Sequence, residues 1–232
     1  MKFSLVIPCY NEAANLPLLL DRCKDLAAQP GVEVVLVDNG SIDSTAEVLR
    51  NLLPLYPGCR SIRVEENRGY GFGVISGLQA ASGQLLGWTH ADMQTDPQDV
   101  LRGLDFFEKH GDDVFVKGRR YGRPLIDVVF TVGMSVFETL LLARPMWDIN
   151  AQPTMFSRSF FEGWETPPDD FSLDLYAYYH AQAKGLKVYR FPVRFGERAH
   201  GVSHWNVNWA AKRKFIRRTV DFSLQLKKKI ST

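Results

Sequence analysis

LLGWTHADMQTDP, residues 85–97, begins as an apolar run and ends in four polar side chains, His90, Asp92, Gln94 and Asp96. The apolar half has the length and composition of a strand covered on both faces. The polar half places nitrogen and oxygen ligands at the exit of that strand. Asp96-Pro97 reads as the start of a helix running to Lys109, because proline suits the first helical turn.

The same pattern recurs on either side. Phe3–Pro8 reads as a strand, followed by Tyr10-Asn11-Glu12 and a helix over 15–28. Val32–Val37 is a continuous apolar strand. It ends in the turn Asp38-Asn39-Gly40-Ser41, and Asp43 or Ser44 can cap a helix to Leu53. Ser61–Val64 is a third strand, followed by Asn67-Arg68 and a small-residue helix over 73–81. Val114–Lys117 is a fifth strand. Strands alternating with helices predict an α/β fold, a mostly parallel sheet with helices on both faces. Ligands of such sheets bind beyond the carboxyl ends of the strands. All four polar clusters fall on that rim.

The rim residues have definite chemistry. Asp92 is a hard carboxylate and Gln94 offers an amide oxygen, a set that suits Mg²⁺ or Mn²⁺ shared with phosphate oxygens. His90 suits Mn²⁺ better than Mg²⁺, or donates a hydrogen bond to a phosphate or sugar. Asp38 can accept from a base N–H or a ribose hydroxyl. Gly69, Gly71 and Gly73 would let a ligand approach the backbone closely. They follow the third strand, whereas a dinucleotide fingerprint follows the first. Walker A and Gly-x-Ser-x-Gly sequences are absent.

The second half is less regular. Leu125–Ala143 is a strongly apolar helix whose exceptions, Asp127, Thr131 and Glu138, form one narrow stripe. It reads either as a core helix or as one that meets a membrane surface or a subunit. A helix over 171–184, a strand over Lys187–Phe195 and a terminal helix over Asn206–Lys229 follow. The net charge of +2 divides unevenly: residues 207–232 carry eight Lys/Arg and one acid, leaving the rest of the chain acidic. On a helical wheel the tail's basic residues, Lys214, Arg217, Arg218, Lys228 and Lys229, oppose an apolar arc of Trp209, Phe215, Ile216, Val220, Phe222, Leu224, Leu226 and Ile230. That suits an anionic bilayer surface, or a helix packed on the domain. A nucleic-acid partner is not expected, since no recognised module is present. The three cysteines have no metal-ligand spacing and read as free thiols in a reducing compartment. Neither a signal peptide nor a transmembrane helix is expected.

SLVIPCYNEAANL (4–16), VVLVDNGSIDST (34–45), NRGYGFGVISGLQAASG (67–83) and GWTHADMQTDP (87–97), in this order, resemble the family 2 glycosyltransferases with the GT-A fold, from about residue 3 to 120. FPVRFGERAHGVSHWN (191–206) further resembles the polyprenyl-phosphate branch of that family. The resemblance implies one GT-A domain over 1–205, with a nucleotide-sugar half (1–120) and an acceptor half (121–205), followed by a basic amphipathic helix (206–232). It implies that Pro8, Tyr10, Glu12, Asp38, Asn39, Arg68, Gly71, His90, Ala91 and Asp92 hold a UDP- or GDP-sugar. It assigns metal to Asp92, Gln94 and His90, and acceptor or phosphate to Arg119, Gln152, Arg198, Ser203 and His204. His90 stands where the family has the first acid of Asp-x-Asp. Asn39 stands for a common second Asp, and His204 for a Lys.

The function implied is metal-dependent, inverting transfer of a sugar to a lipid-linked or glycan acceptor in cell-envelope polysaccharide or glycolipid biosynthesis. The enzyme is expected in the cytoplasm, peripheral on the inner face of the membrane. A cation at Asp92, helped by Arg68 or Arg198, would stabilise the departing diphosphate. A hydroxyl acceptor needs a carboxylate base, with Asp169, Asp170 and Asp174 as candidates; Asp170 and Asp174 are four apart and share a helical face. A phosphate acceptor needs none. The alternatives are a polyprenyl-phosphate sugar synthase and a nucleotide-sugar binder that has lost catalysis. Oligomeric state stays open. A processive polymerase is disfavoured, because Gln-x-x-Arg-Trp is absent. A nucleotidyltransferase is disfavoured too, because residues 8–16 hold no Gly-rich loop with a basic residue.

Overall fold

The computed structural model describes residues 2–201 and 209–230. Four strands, β1 (Phe3–Cys9), β2 (Val32–Asn39), β3 (Cys59–Val64) and β4 (Leu85–Trp88), pair in parallel in the spatial order β3-β2-β1-β4. Helices α1 (Leu16–Ala27), α2 (Thr45–Leu52) and α3 (Tyr70–Ala80) join them. α4 (Asp99–His110) then leads to β5 (Val114–Tyr121), and α5 (Leu125–Leu142) follows. β6 (Thr154–Ser157) inserts between β4 and β5, antiparallel to both. After α6 (Arg158–Glu162) and α7 (Leu173–Ala183), β7 (Lys187–Arg194) closes the edge parallel to β5. α8 (Trp209–Ile230) ends the described chain.

The expected mostly parallel α/β sheet is present, with β6 as its unforeseen member. Every residue of β6 is buried, but only Met155 and Phe156 in it are apolar, too few to read as a strand from sequence. α3 begins at Tyr70, three residues earlier than expected, and α4 begins two residues after Pro97. The continuous apolar run of β2 has a simple cause. Val34 and Leu36 enter the core under α1, while Val35 and Val37 enter the core under α3 and α7. Successive strand side chains point to opposite faces, so a strand covered twice must be apolar throughout.

α5 is turned inside out. Ser135, Glu138 and Leu142 are its buried residues, whereas Leu125, Ile126, Val129, Val136, Phe137 and Leu140 are exposed, Leu125 to 80% and Leu140 to 76%. The polar stripe faces the protein. Thr131 Oγ1 accepts from Arg123, and Ser135 Oγ accepts from the Asp148 amide. Of the two readings of this helix, the core reading is thereby corrected. By length and composition alone α5 is also apolar enough to cross a membrane, where the sequence reading expects no such helix. α8 behaves oppositely. Its Ser223 and Leu226 are buried and Phe222 packs against the core, while Leu224 is exposed. Phe222 and Leu226 of its apolar arc therefore pack on the protein, and Leu224 does not. The side chains of Trp209, Lys214, Phe215, Lys229 and Ile230 lie outside the described residues.

Glu138 joins the two helices. It is fully buried, its Oε1 lies 2.6 Å from Ser223 Oγ, and its Oε2 has no partner among the described residues. Burial raises its pKa to about 7. A carboxyl whose folded pKa is raised favours the fold while protonated. Stability should therefore fall as pH rises from about 4.5 to about 7, the window between the two values. Glu138→Gln should match the wild type near pH 4.5 and exceed it by about 1–3 kcal/mol at pH 8. Thermal melts across that range check this, and parallel curves for the two proteins contradict it.

Candidate active site

The loops leaving β1 and β2 are braced against each other. Asn11 adopts a left-handed conformation, with φ 56°. Its amide donates to Ser41 Oγ (3.0 Å), its Oδ1 accepts from the Ile42 amide (3.0 Å), and the Glu12 amide donates to Thr45 Oγ1 (2.9 Å). Pro8 and Glu12 are half-buried here, with Tyr10 at 38% exposure on the rim. Glu12 accepts from Asn15 Nδ2, and burial raises its pKa despite that bond. Buried Asp38 accepts from the Ser41 amide (3.0 Å) and pairs with Arg63 Nη1 at 2.7 Å. The sequence reading missed Arg63, whose only signal was a basic residue in β3 level with Asp38 in the register.

Gly69 and Gly71, after β3, lie close against another part of the chain. A Cβ on Gly71 would come within 2.4 Å of the Pro168 carbonyl oxygen, and one on Gly69 within 2.3 Å of that of Asp169. The close approach they permit is therefore to the chain's own 168–170 segment. The Phe72 amide donates to the Asp169 carbonyl at 3.0 Å. Asn39 Nδ2 holds the start of α3 by donating to the Gly69 carbonyl (2.9 Å), and its buried Oδ1 has no partner among the described residues. Arg68 pairs with Asp169 at 2.9 Å and lies over the Phe72 ring. Tyr70 stacks on Phe171, with centroids 4.6 Å apart, and meets His90 at 5.4 Å.

The loop after β4 turns sharply at Met93, with φ 60°. This turn buries Asp92 beside the buried Ala91. Asp92 Oδ1 accepts from the Gln94 amide (3.1 Å), and Asp92 Oδ2 is paired with Arg198 Nη2 at 2.9 Å. Gln94 Nε2 donates to the Gly196 carbonyl at 3.2 Å. His90 is half-buried, and burial holds its pKa below the usual value, with Asp92 and then Asp174 opposing. A neutral imidazole can serve as a ligand or acceptor.

Beneath the rim lies a buried polar cluster. Lys117 on β5 and Asp174 in the first turn of α7 are fully buried, 3.7 Å apart. Lys117 Nζ donates to Thr154 Oγ1 (2.6 Å), and Gln152 Nε2 donates to Asp174 Oδ1 (2.7 Å). Asp174 Oδ2 and Gln152 Oε1 have no partner among the described residues. Burial lowers the Lys117 pKa to about 8, with Asp174 opposing, and raises that of Asp174, with Lys117 opposing. Lys117 read only as the end of a strand. Its weak signal is a lysine alternating with core residues in VFVKG.

The expected pairing of Asp170 with Asp174 on one helical face fails, because α7 begins only at Leu173. Asp170 precedes it, accepting from the Ser172 amide (2.8 Å) and pairing with Arg218 Nε on α8 at 3.0 Å. Arg119 is exposed. Its neighbour Arg120 is tied to Asp148 through Nε (2.9 Å). Arg120 and Arg123 both lie over the Phe195 ring, 5.2 and 5.4 Å from its centre. Ser203 and His204 lie outside the described residues.

No group of three or more His, Cys, Asp or Glu among the described residues could hold a metal alone. The donor set is one carboxylate, an imidazole and an amide. That set fits a divalent ion that completes its shell with diphosphate oxygens, and a guanidinium already holds positive charge at Asp92.

A β3-β2-β1-β4 parallel half-sheet with a buried acid beyond β4, joined through one antiparallel strand to β5 and β7, has the architecture of the GT-A transferases. The chain belongs to glycosyl transferase family 2, whose sequence model matches residues 4–149. A dolichol-phosphate mannosyltransferase from Pyrococcus furiosus is 30% identical over 212 residues, 88% of this chain and 59% of that protein. An undecaprenyl-phosphate 4-deoxy-4-formamido-L-arabinose transferase from Serratia proteamaculans is 40% identical over 119 residues, 49% of this chain and 36% of that protein. The chain thus spans only part of these curated relatives. Among solved structures, glucosyl-3-phosphoglycerate synthase from Mycobacterium tuberculosis, in complex with Mn²⁺, UDP and glucosyl-3-phosphoglycerate, superposes with a TM-score of 0.71 at 19% identity, covering 97% of this chain and 79% of that one. A mannosyltransferase from Pyrobaculum calidifontis, in complex with GDP-mannose and Mn²⁺, gives 0.67 at 21% identity, covering 91% and 59%. Both share the fold.

Proposed function

We propose that this chain transfers a sugar from a UDP- or GDP-sugar to a polyprenyl phosphate, with Mg²⁺ or Mn²⁺ at Asp92. The observation that carries the choice of acceptor is the state of the candidate bases. Asp169 and Asp170 each face a guanidinium, of Arg68 and Arg218, and Asp174 is sealed beneath the rim. A hydroxyl acceptor needs a base within hydrogen-bond reach. A phosphate arrives ionised and needs none. The named relatives, which act on dolichol phosphate and undecaprenyl phosphate, support the same choice.

In this mechanism an acceptor phosphate oxygen attacks the anomeric carbon as the nucleoside diphosphate leaves, inverting the centre. The metal ion supplies positive charge to that diphosphate when bound. Asp92, with Gln94 and His90, would hold it, and Arg198 would add a second cation. Asp38, Asn39, Tyr10 and Glu12 form the wall for the nucleoside. Arg119 and Arg120 stand on the acceptor side.

Membrane apposition completes the reading. The outward apolar face of α5 would meet acyl chains, and exposed Arg213 and Arg217 on α8 would meet anionic headgroups. Incubating the protein with Mn²⁺, UDP- and GDP-sugars and vesicles carrying polyprenyl phosphate should move sugar into the organic extract. Transfer only to soluble glycans ends the phosphate reading. Leu125→Asp/Leu140→Asp should reduce flotation with anionic vesicles by about tenfold; unchanged flotation rejects the role given to α5. His90 favours a second reading, a binder without turnover, which predicts tight nucleotide binding and no metal-dependent product.

A further inference from the structure

In this structure both oxygens of Asp92, the one acid in the proposed donor set, already have a partner. One oxygen accepts from the Gln94 amide and the other pairs with Arg198 at 2.9 Å. The segment that carries Arg198 is fastened over the same loop. The Gly196 amide donates to the Gln94 carbonyl (2.8 Å), Gln94 Nε2 returns a bond to the Gly196 carbonyl (3.2 Å), and the Ala199 amide reaches the Asp92 carbonyl (3.4 Å). Further along, Asn15 Nδ2 donates to the His200 carbonyl. Residues 196–200 thus form a strap across the exit of β4.

We propose that Arg198 is a built-in competitor for the metal position: its guanidinium neutralises Asp92 until a divalent ion and a diphosphate arrive together, and it then turns to the diphosphate. This rests on the donor-site reading above. The physical basis is charge balance at one buried carboxylate. A lone divalent ion must displace a charge-assisted bond and finds few other protein ligands nearby. An ion that brings a diphosphate offers the displaced guanidinium a new anion. Metal and nucleotide should therefore bind synergistically, with Arg198 as the residue that couples them. Coupling is reciprocal, so each ligand tightens the other by the same factor.

Calorimetric titrations test this with no turnover involved. Mn²⁺ alone should bind the wild type weakly, and saturating UDP or GDP should tighten it by about tenfold or more. Arg198→Ala should change two affinities in opposite directions, each by about tenfold. Mn²⁺ alone should bind more tightly, because its competitor is gone. The nucleoside diphosphate with Mn²⁺ should bind more weakly, because its second cation is gone. Arg198→Lys, which keeps the charge, should leave Mn²⁺-alone affinity near that of the wild type and so separates competition from a change in folding. If Arg198→Ala leaves Mn²⁺-alone affinity unchanged or lower, the competitor role is wrong. If neither UDP nor GDP binds the wild type with Mn²⁺, the donor reading has failed, and the Mn²⁺-alone comparison still decides the role of Arg198.

Discussion

Asp92→Asn should lower kcat/KM for sugar transfer by about a hundred- to a thousandfold, the range seen when one preorganised charge-stabilising group is removed. Asparagine keeps the shape and one carbonyl oxygen, so the loop after β4 can still form. It lacks the charge that anchors a divalent ion and balances Arg198. The fold should tolerate the change. Arg198 is 26% exposed, so the guanidinium left behind keeps some contact with water and its loss of a partner costs less than the ~3–5 kcal/mol of a fully buried pair. A retained melting temperature with collapsed activity is therefore the expected signature, and raised Mn²⁺ should rescue little. An Asp92→Asn enzyme that keeps a large share of wild-type activity at ordinary Mn²⁺ would overturn the metal assignment.

The buried pair should dominate stability. Asp174→Ala leaves Lys117 sealed from water, with Thr154 as its hydrogen-bond partner among the described residues. Breaking such a pair from one side typically costs about 3–5 kcal/mol. In a chain of this size that is on the order of a ten-degree fall in Tm. Lys117→Met fails differently. Asp174, already raised by burial, loses its largest opposing charge and takes up a proton. A raised folded pKa favours the fold at low pH, so this variant should lose stability as pH climbs above about 4, where the unfolded carboxyl ionises. Lys117→Met/Asp174→Asn removes both charges and keeps an acceptor for Gln152. It should lose less than Lys117→Met and Asp174→Asn summed, by about 1–2 kcal/mol or more. Strict additivity in denaturant titrations would show that the two groups do not act as a pair.

These two expectations differ in how visible their residues are in the sequence. Asp92 is legible because its stretch is local: an apolar strand stops and ligands begin within a few positions. The β1 and β2 loops are legible for the same reason, as is the alternation that gives the sheet. β6 was not legible, because its burial comes from β4 and β5 on either side and not from its own composition. Lys117 was not legible either. Its partners Thr154 and Asp174 come from β6 and α7, 37 residues and more along the chain. Gly69 and Gly71 signal a close approach, but the neighbour that the fold brings there, 168–170, is about a hundred residues away and invisible to local sequence.

The order of strands, the rim at their carboxyl ends and the acid at its centre follow from periodicity and local composition, which any segment carries within itself. Which carboxylates remain available, which face of α5 looks outward and what sits on Asp92 depend on pairings between distant segments. Those pairings are set by burial and charge neutralisation in three dimensions, and only the folded chain brings the partners within reach of one another.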